Sequence, residues 1–245
     1  MSKSKKTPKI VSDVSEVEPG ESALVLPAKA TKNTAYFVPA VSSNERGPGI
    51  LVLHSWWGLN ATTKKFCEDL SDRGYCVLAP NFFGPPAKDE AHAQELLSAA
   101  DPNEMADLVL SSIHALRTYS DDSTKPVAII GFAMGGSLGL WASTKLPDSV
   151  SNVVSVYGSQ NIDFDDATAD YLLISAEFDE VATEDDMNFT QALIGLAGCE
   201  VQAEVIPGTH HGFWDENDAS FNILAKDLCD IAIGNYISNH FRSVK

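Results

Sequence analysis

Short, nearly continuous apolar runs alternate with longer stretches of helical period over most of this chain of 245 residues. The runs at 50–53 (Ile-Leu-Val-Leu), 75–79 (Tyr-Cys-Val-Leu-Ala), 127–130 (Val-Ala-Ile-Ile), 153–156 and 171–174 suit strands buried on both faces of a parallel sheet, and 201–206 reads as a last strand. A helix over 61–73 places Phe66, Cys67 and Leu70 on one side, and Gly74 ends it. After the turn Gly84-Pro85-Pro86 two helices follow. The second is opened by Asp101-Pro102-Asn103-Glu104, with a capping acid, a proline suited to the first helical position and a glutamate at capping-box spacing; Met105, Leu108, Val109, Ser112 and Leu116 mark its inner face. Further helices are expected after residue 136, over 184–197 up to Gly198, and over 219–240, the last with Phe221, Leu224, Leu228 and Ile231 turned inward. Ahead of all this, 22–26 and 34–38 read as short antiparallel edge strands. Residues 1–20 are polar and read as a flexible tail, so one domain is expected over 21–245. Strands alternating with helices in this way imply an α/β fold with a mostly parallel central sheet and helices on both faces.

Charge and composition narrow the roles open to such a domain. The chain holds 34 acids against 17 bases, a net charge of −17, which argues against binding nucleic acid because neutralising phosphates needs a basic surface. The first nine residues carry four lysines, but no apolar segment follows them, and no apolar run is long enough to cross a bilayer. The expected setting is cytoplasmic. Cys67, Cys76, Cys199 and Cys229 lack C-x-x-C spacing and read as small buried hydrophobes, with neither a metal nor an organic cofactor implied.

Candidate chemistry gathers where three strands end. Gly131-Phe132-Ala133-Met134-Gly135-Gly136, between the 127–130 strand and a helix, has the glycine spacing of the strand-to-helix corner on which a catalytic nucleophile is exposed. Its central residue, Ala133, has no hydroxyl or thiol. Glu177-Phe178-Asp179-Glu180 follows the 171–176 run, and Gly208-Thr209-His210-His211-Gly212-Phe213 follows the last strand. Corner, acid and histidine in that order match a nucleophile, acid and base on an α/β-hydrolase sheet, where an imidazole oriented by a carboxylate removes the nucleophile's proton. From the residues alone, Glu177 or Glu180 remain alternatives to Asp179, the glycine-rich turn also fits a phosphate cradle, and His210 with His211 is a poor metal pair because adjacent histidines lack helical H-x-x-x-H spacing.

With these motifs in order, the chain resembles the dienelactone hydrolase family from about Gly20 to its last helix. The family's corner reads G-x-C-x-G-G, or the same with serine, and matches 131–136 except at Ala133. The resemblance implies an α/β-hydrolase fold, a hydrolase of carboxylic esters or lactones, Asp179 as the acid and His211 as the base. His54-Ser55-Trp56-Trp57-Gly58-Leu59-Asn60 is similar to the family loop whose backbone helps build the oxyanion hole, which implies the N–H groups of Trp56 and Met134 as donors. Ser55 stands where many relatives carry glutamate. Trp57, Phe82, Phe83 and Phe213 are candidate pocket residues beside it. The places near Gly84 and Asp215, where relatives that bind dienelactone carry arginines, are not basic, so a neutral or apolar ester is the expected substrate.

Ala133 leaves two functional expectations. One is an ester or lactone hydrolase impaired at its nucleophile. The other is a binding protein that holds a small apolar or carbonyl-bearing ligand in the same pocket without turnover. Ser55 and Ser137 are the candidate substitute nucleophiles, Ser137 lying one helical turn beyond the corner. The partner expected in either case is a small molecule, and a monomer suffices for it.

Overall fold

The computed structural model of the protein describes residues 9–11, 35–42 and 45–240. Their eight strands form one sheet in the order β1-β2-β4-β3-β5-β6-β7-β8. The strands are β1 (Lys9–Val11), β2 (Ala35–Val38), β3 (Gly49–Leu53), β4 (Cys76–Pro80), β5 (Val127–Phe132), β6 (Val150–Val156), β7 (Asp170–Phe178) and β8 (Val201–His210). From β3 to β8 all neighbours are parallel, while β2 is antiparallel to β1 and β4. Three residues of the stretch that reads as a tail thus pair with β2, whereas the expected strand at 22–26 lies outside the described residues.

The helices are α1 (Ala61–Asp72), α2 (Glu90–Ala99), α3 (Pro102–Tyr119), α4 (Met134–Lys145), α5 (Glu184–Leu196) and α6 (Ile223–His240). They cover two hydrophobic layers, one on each face of the sheet. Alternate residues of the central strands feed opposite layers: Ile50, Val52, Ala128 and Ile130 join the layer under α1 and α6, and Leu51, Leu53, Val127 and Ile129 the layer under α3 and α4. This two-sided burial is why β3, β4 and β5 read as continuous apolar runs without alternation.

Local capping fixes the helix starts. The Asn60 side chain accepts from Thr63 N–H at α1, Asp101 from Asn103 N–H at α3, and Thr183 and Asp186 form a reciprocal capping box at α5. At α6 the expectation needs correction twice. The helix begins at Ile223 instead of 219, because the Asn222 side chain accepts from the N–H groups of Leu224 and Ala225 and so stands as the cap. Its buried face carries Ala225, Cys229, Ile233, Tyr236 and Ile237, while Leu224, Leu228 and Ile231 are 71%, 52% and 59% exposed. Apolar residues populate two faces of this helix, so helical period alone does not choose between them; the smaller Ala225 and Cys229 permit the closer approach to the sheet. Replacing Ile233 by alanine should therefore cost about 2–5 kcal/mol in urea unfolding, and Leu228→Ala about 0.5 kcal/mol or less; the reverse ranking would contradict this packing.

Candidate active site

The candidate nucleophile position, acid and base, with His54, each stand one position past the end of a strand. Ala133 follows β5, Asp179 follows β7, His211 follows β8, and His54 follows β3. Phe178 and His210 are register partners across β7 and β8, so the next residue of each strand, Asp179 and His211, is brought into contact. The His211 Nδ1 lies 2.9 and 3.1 Å from the two Asp179 carboxylate oxygens. A carboxylate accepts, so Nδ1 carries the proton and Nε2 is left with its lone pair. The Asp179 side chain is almost wholly buried, while that of His211 keeps part of its surface toward solvent. Burial works to raise the Asp179 carboxyl pKa, but the His211 hydrogen bond and charge, with the N–H groups of Val181 and Ala182, outweigh it and hold the group below its ordinary value. Glu177 instead accepts from Gly208 N–H, and Glu180 is exposed. His210 turns to the Phe178 carbonyl, and among the described residues no group of His, Cys, Asp and Glu is arranged to hold a metal ion.

At the β5–α4 corner Ala133 has φ 49° and ψ −117°, a conformation that costs a residue bearing a Cβ about 1–3 kcal/mol. Its N–H donates to the Val156 carbonyl and its carbonyl accepts from Ser137 N–H. Two glycines make the corner possible: a Cβ on Gly131 would overlap the Gly135 carbonyl, and one on Gly135 would overlap the Leu53 carbonyl. The N-terminus of α4 is thereby pressed against the end of β3. Ala133 offers α4 no side-chain cap, which leaves the first N–H groups of the helix, Met134's among them, to whatever lies in front of the corner.

The loop after β3 is held by a residue whose part the sequence pattern did not reveal. His54 is fully buried, and Phe82 N–H donates to its Nε2 at 3.2 Å. That bond puts the ring proton on Nδ1, 2.7 Å from the Ser55 carbonyl, which also accepts from Gly58 N–H. Because a trans peptide points its N–H opposite to its C=O, this clamp directs the Trp56 N–H away from His54. Burial lowers the His54 pKa to about 4, against a smaller opposing effect of the Ser55 carbonyl.

A second group of contacts ties the segment after His211 to its neighbours. Phe132, just before the corner, stacks on Trp214 with ring centroids 3.8 Å apart, and Phe66 packs edge-on against both. The buried Asp215 carboxylate takes both oxygens to within 2.9 Å of Asn60 Nδ2 and accepts from the Ser55 hydroxyl at 3.4 Å; burial raises its pKa, opposed by hydrogen bonds from Asn217 and Asn60. Trp57 Nε1 donates to Asp218. The Tyr157 ring lies 4.9 Å from that of His211.

Not every expected pocket residue faces the same space. Phe213 is fully buried against Tyr157, and Trp57 is 5% exposed. Phe82 and Phe83 are half-buried and line a cavity of about 500 Å³ with Met105 and Leu108, to which Ala133, Asp179 and His211 do not contribute. Of the substitute nucleophiles, Ser55 faces Asp215 and also accepts from Trp57 N–H, and Ser137 donates to the Ser159 carbonyl.

An eight-stranded, mostly parallel sheet with an acid and a histidine joined at adjacent strand ends, and a strained strand-to-helix corner near them, defines an α/β-hydrolase. The model of the dienelactone hydrolase family matches residues 34–232, and the chain belongs to that family. The protein usf of Aquifex pyrophilus is 29% identical over 180 residues, spanning 69% of this chain and 78% of that protein. A protein of Aquifex aeolicus named "Putative carboxymethylenebutenolidase" is 28% identical with the same coverage. Among solved structures, the metagenomic dienelactone hydrolase-like promiscuous phosphotriesterase P91 superposes with a TM-score of 0.71 at 18% identity, covering 85% of this chain and 92% of that one. Among the described residues no helix is long and apolar enough to cross a membrane.

The clamp at His54 has a pH signature. Its folded pKa of about 4 lies below the ordinary 6.5, so between these values the unfolded chain binds more protons and stability falls as pH falls. The contribution lost by pH 4 is about 3 kcal/mol. Urea-derived stability of the parent should therefore drop by about that much more than that of His54→Asn between pH 7 and pH 4; parallel slopes would contradict a neutral, buried His54.

Proposed function

We infer that this protein is built to hydrolyse small carboxylic esters or lactones, with Ala133 at the position of the nucleophile, Asp179 and His211 as acid and base, and the N–H groups of Met134 and Trp56 as oxyanion donors. The observation that carries the reading is the Asp179–His211 contact, which fixes the imidazole in the tautomer a general base needs. With serine or cysteine at 133, His211 Nε2 takes the nucleophile's proton, the acyl group passes to the side chain, and a water activated by the same nitrogen releases it. The unprotonated oxyanion is met by N–H groups at the α4 N-terminus and at the His54-clamped loop. The names of the Aquifex aeolicus relative and of P91 agree with acyl or related ester hydrolysis.

Substrate charge follows from the acids around the site. Asp215 and Asp218 lie behind the Ser55–Trp57 loop, and the chain carries a net −17, so neutral or apolar esters are favoured over substrates bearing a carboxylate. Ala133 itself supports a second reading, a binding protein that holds such a molecule without turnover.

Hydrolysis of 4-nitrophenyl esters of several acyl lengths separates the two. Ala133→Ser or Ala133→Cys should raise kcat by about 10³-fold or more, a conservative share of the roughly 10⁶ lost when a serine hydrolase loses its nucleophile. Ligand binding with no gain of turnover in either variant would favour the binding reading.

A further inference from the structure

We propose that the chain as it stands, with alanine at 133, is itself a slow hydrolase in which water replaces the side-chain nucleophile and attacks the ester in a single displacement. The proposal rests on the hydrolase reading of the site and adds to it a different route, without an acyl-protein.

The Asp179 contact leaves His211 Nε2 as the basic nitrogen, on a ring partly open to solvent. The ionised Asp179, held by two further N–H donors, stabilises the imidazolium that proton transfer creates. The corner keeps the strained backbone of a nucleophile position although its residue has no nucleophile, and Ala133 gives α4 no side-chain cap. A methyl in place of a hydroxymethyl group is shorter by one heavy atom. A water against the Ala133 methyl lies at van der Waals contact, farther from Cβ than a bonded serine oxygen but on the same side, and the same imidazole serves it.

Competing side chains are otherwise engaged. The Ser55 hydroxyl is buried against Asp215, the Ser137 hydroxyl bonds to the Ser159 carbonyl, and the Thr209 hydroxyl to the Ile206 carbonyl. Cys67, Cys76 and Cys229 are buried in the core.

In the proposed step the water oxygen bonds to the acyl carbon while its proton passes to His211 Nε2. The carbonyl electron pair moves onto oxygen, facing the Met134 and Trp56 N–H groups. Collapse of this intermediate restores the carbonyl and breaks the acyl carbon–oxygen bond, and the leaving alkoxide takes the proton from Nε2. One ester and one water give one acid and one alcohol; for a lactone the two stay joined in a single hydroxy acid. Rates of about 10³- to 10⁴-fold over water are typical of a site that has lost its nucleophile but keeps its other parts. Esters with good leaving groups and strained lactones are therefore the substrates within reach.

The test uses the unmodified chain with 4-nitrophenyl acetate, beside His211→Ala, Asp179→Asn and Ala133→Ser prepared in parallel, with acid-quenched samples weighed by intact mass spectrometry. Expected are turnover above buffer with no initial burst, no acyl adduct on the parent, and about a 10²-fold loss in His211→Ala, the usual share of a general base. Asp179→Asn should also lose rate while keeping its melting temperature within a few degrees. A parent no faster than buffer beside an active Ala133→Ser overturns the single-displacement route and leaves the hydrolase reading standing. An acyl adduct on the parent, or equal rates for parent and His211→Ala, also overturns it. If the parent, Ala133→Ser and Ala133→Cys are all inactive, the hydrolase reading itself fails, and the single-displacement route with it.

Discussion

The approach of α4 to the end of β3 sets everything at the carboxyl edge of this sheet. Gly135 lies directly against the Leu53 carbonyl, and Gly131 against the Gly135 carbonyl, with no room for a Cβ at either place. A larger residue would push the helix outward and separate its N-terminus from the loop that begins at His54. Since Leu53 and Gly131 are also register partners of β3 and β5, that loop and the corner at Ala133 rise side by side from neighbouring strands. The reversal of strand order around β3 and β5 is where open α/β sheets form their crevices.

The closeness is costly, and the surrounding structure compensates. Ala133 sits at positive φ, where a Cβ costs about 1–3 kcal/mol. Phe132 beside it is buried and stacked on Trp214, which in turn donates to Asp230 of α6. Burying side chains of this size is worth roughly 1.5–3 kcal/mol each, enough to hold the strain. The stack also couples the corner to the segment that carries His211, three positions before Trp214. Asp215 and Asp218 then bind that segment to the β3 loop through Asn60, Ser55 and Trp57. The corner, the His211 segment and the loop after β3 are thus cross-linked in pairs, and a displacement of one is resisted by the other two.

Much of this was legible in the sequence, for identifiable reasons. Strands buried on both faces leave unbroken apolar runs, and the capping residues Asn60, Asp101 and Thr183 mark helix starts through chemistry that acts within three positions. The chain order of corner, acid and histidine is a one-dimensional trace of strand ends, those of β7 and β8 neighbours in the sheet and that of β5 separated from β7 by β6 alone. The inner face of α6 was not legible, because both of its sides carry apolar residues and only the close packing of Ala225 and Cys229 selects one. Nor was the clamp at His54, whose partner Phe82 N–H is supplied by the end of a different strand. The burial of Phe213 depends on Tyr157, which no local pattern connects to it.

Residue 133 is where the local pattern and the surrounding site disagree, and chemical labelling there probes the account most directly. An organophosphate that phosphorylates the nucleophile of serine hydrolases should add one phosphoryl group to Ala133→Ser. It should add none to the parent chain and little when Ala133→Ser is combined with His211→Ala, all read by intact mass. Labelling of the parent, or failure to label Ala133→Ser in a folded protein, would contradict the placement of the nucleophile position at the β5–α4 corner in front of the Asp179–His211 pair.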